Sequence, residues 1–101
     1  MYTFVRRYNV NPDSVNEVIR RAVEGFVPIV SKAQGFLSYD LMNSGNGTVT
    51  TISAFDNQVA AEKANVLTME WVEANLSPFI TEPPLVIGGK VSVHKTAQDS
   101  R

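Results

Sequence analysis

Apolar residues in this chain change their spacing in a set order, and that order leaves few folds open. "YTFVRRYN", Tyr2 to Asn9, is rich in aromatic and β-branched residues and ends at a turn signal, so it reads as a strand. Val15, Val18, Ile19, Ala22, Val23, Phe26, Ile29 and Val30 then recur at helical spacing. Two starts are open to this first helix: Asn11 caps with Pro12 at the first position, or Ser14 caps and Glu17 reaches back. Glu17 and Arg21 form a favourable pair on the outer face. Pro28 removes a backbone donor, so a kink or a tightened last turn is expected near Gly25 to Pro28. The helix should finish by Ala33, with Gly35 marking the exit.

"GFLSYDLMNSGNGTVTTISAFD" reads as a β-hairpin turning at Asn-Gly. A two- or four-residue loop groups Leu37, Tyr39, Leu41 and Asn43 with Thr50, Ile52 and Ala54. The other face then carries Phe36, Ser38, Asp40 and Met42 with Val49, Thr51, Ser53 and Phe55. A second helix follows Asp56 or Asn57, either of which can cap it. It lines Ala60, Ala64, Leu67, Trp71 and Ala74 along one face and ends near Pro78. "LVIGGKVSVHK" reads as the last strand, with Gly88-Gly89 suggesting a bulge or a close backbone approach. The order β-α-β-β-α-β is that of an α+β, ferredoxin-like fold: an antiparallel four-stranded sheet with two helices on one face. Residues 1–95 form a single domain, and "TAQDSR", 96–101, a frayed tail.

Composition narrows the function. Nine basic residues against ten acidic give a net charge of -1. No basic excess exists to displace phosphate counterions, so nucleic acid is not an expected partner. Without cysteine, and with His94 the single histidine, disulfides and thiolate chemistry are excluded and a zinc centre has little to draw on. No stretch is long and apolar enough to span a bilayer, and the N-terminus lacks a secretory pattern. A cytoplasmic protein with no membrane partner is expected. No Gly-rich loop opens a helix after a strand, so no nucleotide or other cofactor is expected.

Two helices cover only one face of such a sheet. The other, with Phe36, Met42, Val49 and Phe55 assigned to it, would expose a large apolar area. A second copy stacked sheet on sheet would cover it, which implies a homodimer.

The element order, the "GFLSYDL" opening of the hairpin, the small-residue helix after "SAFDNQVAAEKAN" and the closing "GGKVSV" strand together resemble the antibiotic biosynthesis monooxygenase (ABM) type domain of the dimeric α+β barrel superfamily. The resemblance spans Tyr2 to His94. It implies a dimeric barrel and, for some members, cofactor-free oxygenation of polycyclic phenols or quinones, or degradation of haem. This chain carries Ser53-Ala54-Phe55 where many members have Glu-x-Trp, and Asn65 after Ala64 where many have histidine. The haem-degrading type resembles an Asn, Trp and His arrangement; Asn9 and Trp71 are present here, but the histidine sits at the end of the last strand.

Trp71 either fills the core or walls a flat aromatic ligand. Asn65 either faces solvent or bonds a phenol or quinone oxygen. Tyr39, among apolar neighbours, needs a partner for its hydroxyl. Arg6 and Arg7 point to opposite faces of the first strand, where one could meet Asp40 or an anionic ligand. Asp40 reads as a wet patch or a desolvated base, and His94 as exposed. Two functions stand: a cofactor-independent monooxygenase whose pocket is lined by Tyr39, Asn65, Trp71, Arg6 and Arg7, or a small-molecule-binding or structural homodimer on the same fold. A ligand-sized cavity beside Trp71 favours the first and a solid core the second.

Overall fold

The computed structural model describes residues 1–100; Arg101, the end of the expected tail, lies outside the described residues. The strands are β1 (Tyr2–Asn9), β2 (Phe36–Gly45), β3 (Thr48–Phe55) and β4 (Leu85–Lys90), in spatial order β2-β3-β1-β4. All neighbours pair antiparallel. Helices α1 (Val15–Arg21), α2 (Val27–Val30) and α3 (Gln58–Leu76) cover one face, giving the α+β, ferredoxin-like βαββαβ arrangement. No helix among the described residues is long and apolar enough to cross a membrane. Ala97–Ser100 makes one 3₁₀ turn.

Of the two open helix starts, the chain takes the first. The Asn11 side chain accepts from the Asp13 N–H, and Pro12 opens a 3₁₀ turn. Ser14 makes no cap bond, and Glu17 instead pairs with Arg20 and Arg21. The turn before Pro28 widens rather than tightens: Ala22–Phe26 is a π-helical stretch, and the Val27 N–H donates to the Ala22 carbonyl. Widening by one residue lets the chain pass a proline that has no N–H. It also turns part of the apolar stripe outward. Val15, Val18, Ala22, Phe26 and Val30 are buried, whereas Val23 and Ile29 are exposed, and α2 ends at Val30, before Ala33 as expected. Asn57 caps α3 by accepting from the Ala60 N–H at 2.9 Å. The inward face of α3 is Ala61, Ala64, Val72 and Leu76, flanked by Trp71, with Ala74 in solvent.

The hairpin corrects the expected faces. Its two-residue turn is Asn46-Gly47, as its Asn-Gly pair suggests, with Gly45, Asn46 and Gly47 all at positive φ. A β-bulge between Asn43 and Gly45 then adds one residue to β2, so Asn43 pairs with Val49 and Leu41 with Thr51. One inserted residue reverses the facing of β2 as far as a second register shift between Phe36 and Ser38. Tyr39 and Leu41 therefore share the helix face with Val49, Thr51, Ser53 and Phe55, while Asp40 and Met42 share the open face with Thr50, Ile52 and Ala54. Val49 and Phe55, assigned above to the open face, are core residues at 2% and 1% exposure, and Phe36 packs against Phe55 beneath the helices.

The last strand stops at Lys90, short of the expected Lys95. Gly88 makes the close approach rather than a bulge: Phe4, its partner on β1, lays its ring where a Cβ would stand.

Candidate functional site

Strand β1 alternates Tyr2, Phe4, Arg6, Tyr8 and Val10 toward the helices. A cation in that aromatic row is the local anomaly from which the site grows. Arg6 is only 4% exposed. Its guanidinium donates to the Asn65 side-chain oxygen and, at 3.4 Å, to the Asn65 carbonyl. The Asn65 amide in turn donates to the Met69 sulfur at 3.7 Å. Among the described residues no carboxylate forms an ion pair with Arg6. Burying a charge without a counter-charge is costly, and such a cation favours an anion brought from outside.

Beside it, the Tyr8 hydroxyl is buried and meets no protein hydrogen-bond partner. Burial pushes the Tyr8 phenol up, and the nearby Arg6 charge opposes this only in part, so Tyr8 stays a neutral phenol. Burial raises Tyr39 further, with Tyr8 adding to the rise and Arg6 and Thr51 working against it.

Arg6 and Tyr8 line a groove of about 480 Å³, a volume suited to a small organic ligand. Met69, Val72 and Ile80 form its apolar walls, and Glu73 and Glu82 stand at its exposed rim. The connector after α3 makes the far wall. It is fastened to β1 by the Thr81 N–H donating to the Asn9 carbonyl at 2.9 Å and by the Val10–Ile80 bridge. Glu82 is drawn aside by the Asn9 amide at 3.3 Å, and Pro83-Pro84 stiffens the same segment.

Of the five residues expected to line one pocket, Arg6 lies on this groove and Asn65 holds Arg6 from above. Trp71 and Tyr39 lie elsewhere, on either side of Phe26, with ring centroids 5.3 and 5.8 Å from it. The recess they share in the core has only about 20 Å³, room for about one water and no organic ligand. The core beside Trp71 is therefore solid, the outcome set above for the binding or structural homodimer. On its outer side Trp71 borders an open recess of about 260 Å³ with Arg21, Glu24 and Asn75. Arg7 is on the opposite face of the sheet, near Asn9, Ser44 and Thr50. Asn9 also lies on that face, Trp71 lies on α3 against Phe26 and His94 is exposed, so these three do not converge. A second cleft, of about 580 Å³, opens between the turn after α2 and the start of α3. Its ionisable groups, Asp56 and Lys63, are both exposed.

Sequence reasoning missed Tyr8, Val72, Met69 and the connector. Tyr8 carried a usable signal, since it shares the β1 face with Arg6. The connector carried none, because its place depends on long-range pairing with Asn9 and Val10.

Comparison with known families matches residues 1–65 to the model of the antibiotic biosynthesis monooxygenases. The chain belongs to this ABM family. Comparison with curated protein sequences gives no match. Solved structures share the fold over nearly the whole length. A Nitrosomonas europaea protein of unknown function is 14% identical with a TM-score of 0.80, over 94% of this chain and 92% of that one. A monooxygenase from the ActVA-Orf6 gene of Streptomyces coelicolor, in complex with nanaomycin D, is 20% identical with a TM-score of 0.73, over 94% and 92%. The heme-degrader MhuD of Mycobacterium tuberculosis, with two hemes in its active site, is 15% identical with a TM-score of 0.73, over 95% and 100%. At such identities the ABM likeness in three dimensions is one of fold.

Proposed function

We propose that this ABM protein is a cofactor-independent monooxygenase acting on a small aromatic or quinone-like compound, bound in the Arg6 groove as a phenolate or enolate. The observation that carries the reading is Arg6: a buried guanidinium on the wall of a ligand-sized groove, with no carboxylate paired to it. Family membership and the monooxygenase among its fold relatives support the same class of chemistry.

The reaction needs no electron source beyond the substrate. An acidic ring CH₂ conjugated to a carbonyl through an aromatic ring, as in an anthrone, loses a proton to water at the groove mouth, and Arg6 stabilises the negative oxygen of the resulting enolate. The electron pair of that carbanion reduces dioxygen, giving a C–O bond and, after protonation, a hydroperoxide. Loss of water leaves a ketone. The balance is R–CH₂–R′ + O₂ → R–CO–R′ + H₂O. Asn65 fixes the guanidinium, and Met69, Val72 and Ile80 keep the reacting carbon in apolar surroundings. The protein works as a homodimer through its helix-free sheet face, in the cytoplasm.

The test is oxygen uptake with a panel of anthrones, hydroquinones and naphthols, comparing wild type with Arg6→Met. The expected result is one oxygen consumed per ketone formed, lost in the variant. Saturable binding without oxygen uptake across the panel overturns the oxygenase reading and leaves a small-molecule-binding homodimer.

A further inference from the structure

The sheet face turned away from the helices carries two charged residues, Asp40 on β2 and Arg7 on β1. Around them the register sets out the face in rows: Asp40, Ile52, Val5 and Ile87 lie side by side across the strands, with Met42, Thr50, Arg7 and Leu85 in the next row. Met42, Leu85 and Ile87 are exposed, at 45%, 47% and 57%, and Val5 and Ile52 are half-buried between them. This is an apolar patch with one charge of each sign, the kind of surface that marks an interface.

Asp40 and Arg7 are both exposed, and neither makes an ion pair or hydrogen bond with a described residue. They do not pair within one chain. Two strands and two residues separate them, which places them about 12 Å apart on the sheet. Across two stacked sheets the geometry differs. Face-to-face sheets lie about 10 Å apart, a gap that an aspartate and an extended arginine span together. In a two-fold interface every contact occurs twice, so Asp40 meeting Arg7 of a second copy brings with it Arg7 meeting that copy's Asp40.

We infer that a second copy of this chain covers this face, held in register by two reciprocal Asp40–Arg7 pairs at its centre. This rests on the homodimer proposed above and adds what selects its alignment. The apolar patch supplies adhesion but little direction, whereas the two charge pairs penalise other alignments by leaving buried charges unpaired or facing like charges.

The test is the dimer dissociation constant of the full chain, by analytical ultracentrifugation, for wild type, Asp40→Arg, Arg7→Asp and the double exchange. Wild type is expected to be dimeric at micromolar concentration. Each single reversal creates two like-charge contacts per dimer and should weaken association at least tenfold. The double exchange should restore it to within a few-fold. Circular dichroism on the single variants separates dissociation from misfolding. A wild-type dimer whose affinity ignores the reversals, or is not restored by the exchange, overturns the pairing and leaves the dimer standing. A wild type that stays monomeric at high concentration overturns both.

Discussion

Replacing Tyr8 by phenylalanine should make this protein more stable. Tyr8 is 5% exposed, and no protein group bonds its hydroxyl. A buried hydroxyl left without a partner costs about 1–3 kcal/mol. Phenylalanine keeps the ring among Val10, Val49 and Val72 and removes only that oxygen. What is forfeited is the attraction between the phenol oxygen and Arg6, which is not a well-formed hydrogen bond, so the net gain is about 1 kcal/mol. For a domain of this size that raises Tm by about 4–8 °C. Alkali adds a second, independent signature. Burial raises the Tyr8 phenol above its ordinary value of 10.0. As pH rises through that value the unfolded chain releases this proton first, binds fewer protons than the native state, and gains stability relative to it. The contribution is whole below about pH 10 and is lost above it, so the advantage of Tyr8→Phe should widen there. Urea unfolding followed by far-ultraviolet circular dichroism at pH 7 and about pH 10.5 reads both effects. A variant less stable than wild type by about 1 kcal/mol at pH 7 would refute the reasoning, because the hydroxyl would then have to be making a net favourable bond, for instance to an ordered water.

Trp71→Ala should cost about 2–3 kcal/mol in urea unfolding, because the half-buried indole packs on Phe26 and over Gly25. Affinity for a groove ligand should change little, since Trp71 faces the packed core; a large affinity loss would return Trp71 to the site. Gly35→Ala should cost about 2 kcal/mol or more: its φ is +78°, and a Cβ would stand 2.7 Å from that of Ala60. Thermal unfolding measures it, and a neutral result would mean the turn after α2 rearranges freely. Asn57→Ala removes the cap on α3 and should cost about 1 kcal/mol by the same measurement, whereas Asn57→Asp should be close to wild type.

How much of this was legible in the sequence depended on whether a signal was local. The Asn46-Gly47 turn and the element order were readable, and the helix start was narrowed to two local caps, of which the chain uses Asn11-Pro12. The π-helical widening at Ala22–Phe26 was not, because Pro28 demands some irregularity without saying which. The bulge was hidden for a similar reason: Asn43-Ser44-Gly45 permits an extra residue but does not require one. The Asn43 side chain, accepting from the Gly45 N–H at 3.1 Å, shows how the bulge is held. The groove was least legible. Arg6 stood out, but Met69, Val72 and the connector reach it only through the crossing of α3 over β1 and the fastening of Thr81 to Asn9.

The bulge also decides what each face of the sheet can do. β3 takes its facing from β1, so in the unbulged register it is β2 that would flip: Asp40 and Met42 would turn under the helices, and Tyr39 and Leu41 would turn out. With the bulge, Tyr39 and Leu41 fill the helix layer, and Asp40 and Met42 border the open-face residues Val5, Ile52 and Ile87. Adjacent residues of β1 then divide two tasks by the pleat alone: Arg6 turns under α3 to the groove, and Arg7 turns out to the open face. The two cations sit on one strand at the centre of one sheet. A dimer that seats Arg7 therefore also fixes the strand that carries Arg6. If both proposals hold, Arg7→Asp should lower the affinity of the groove for an anionic ligand as the dimer dissociates. The loss should vanish in the exchange with Asp40→Arg, which repairs the interface while leaving Arg6 untouched. A groove whose affinity is indifferent to the oligomeric state would show that β1 is held rigid by β3 and β4 alone.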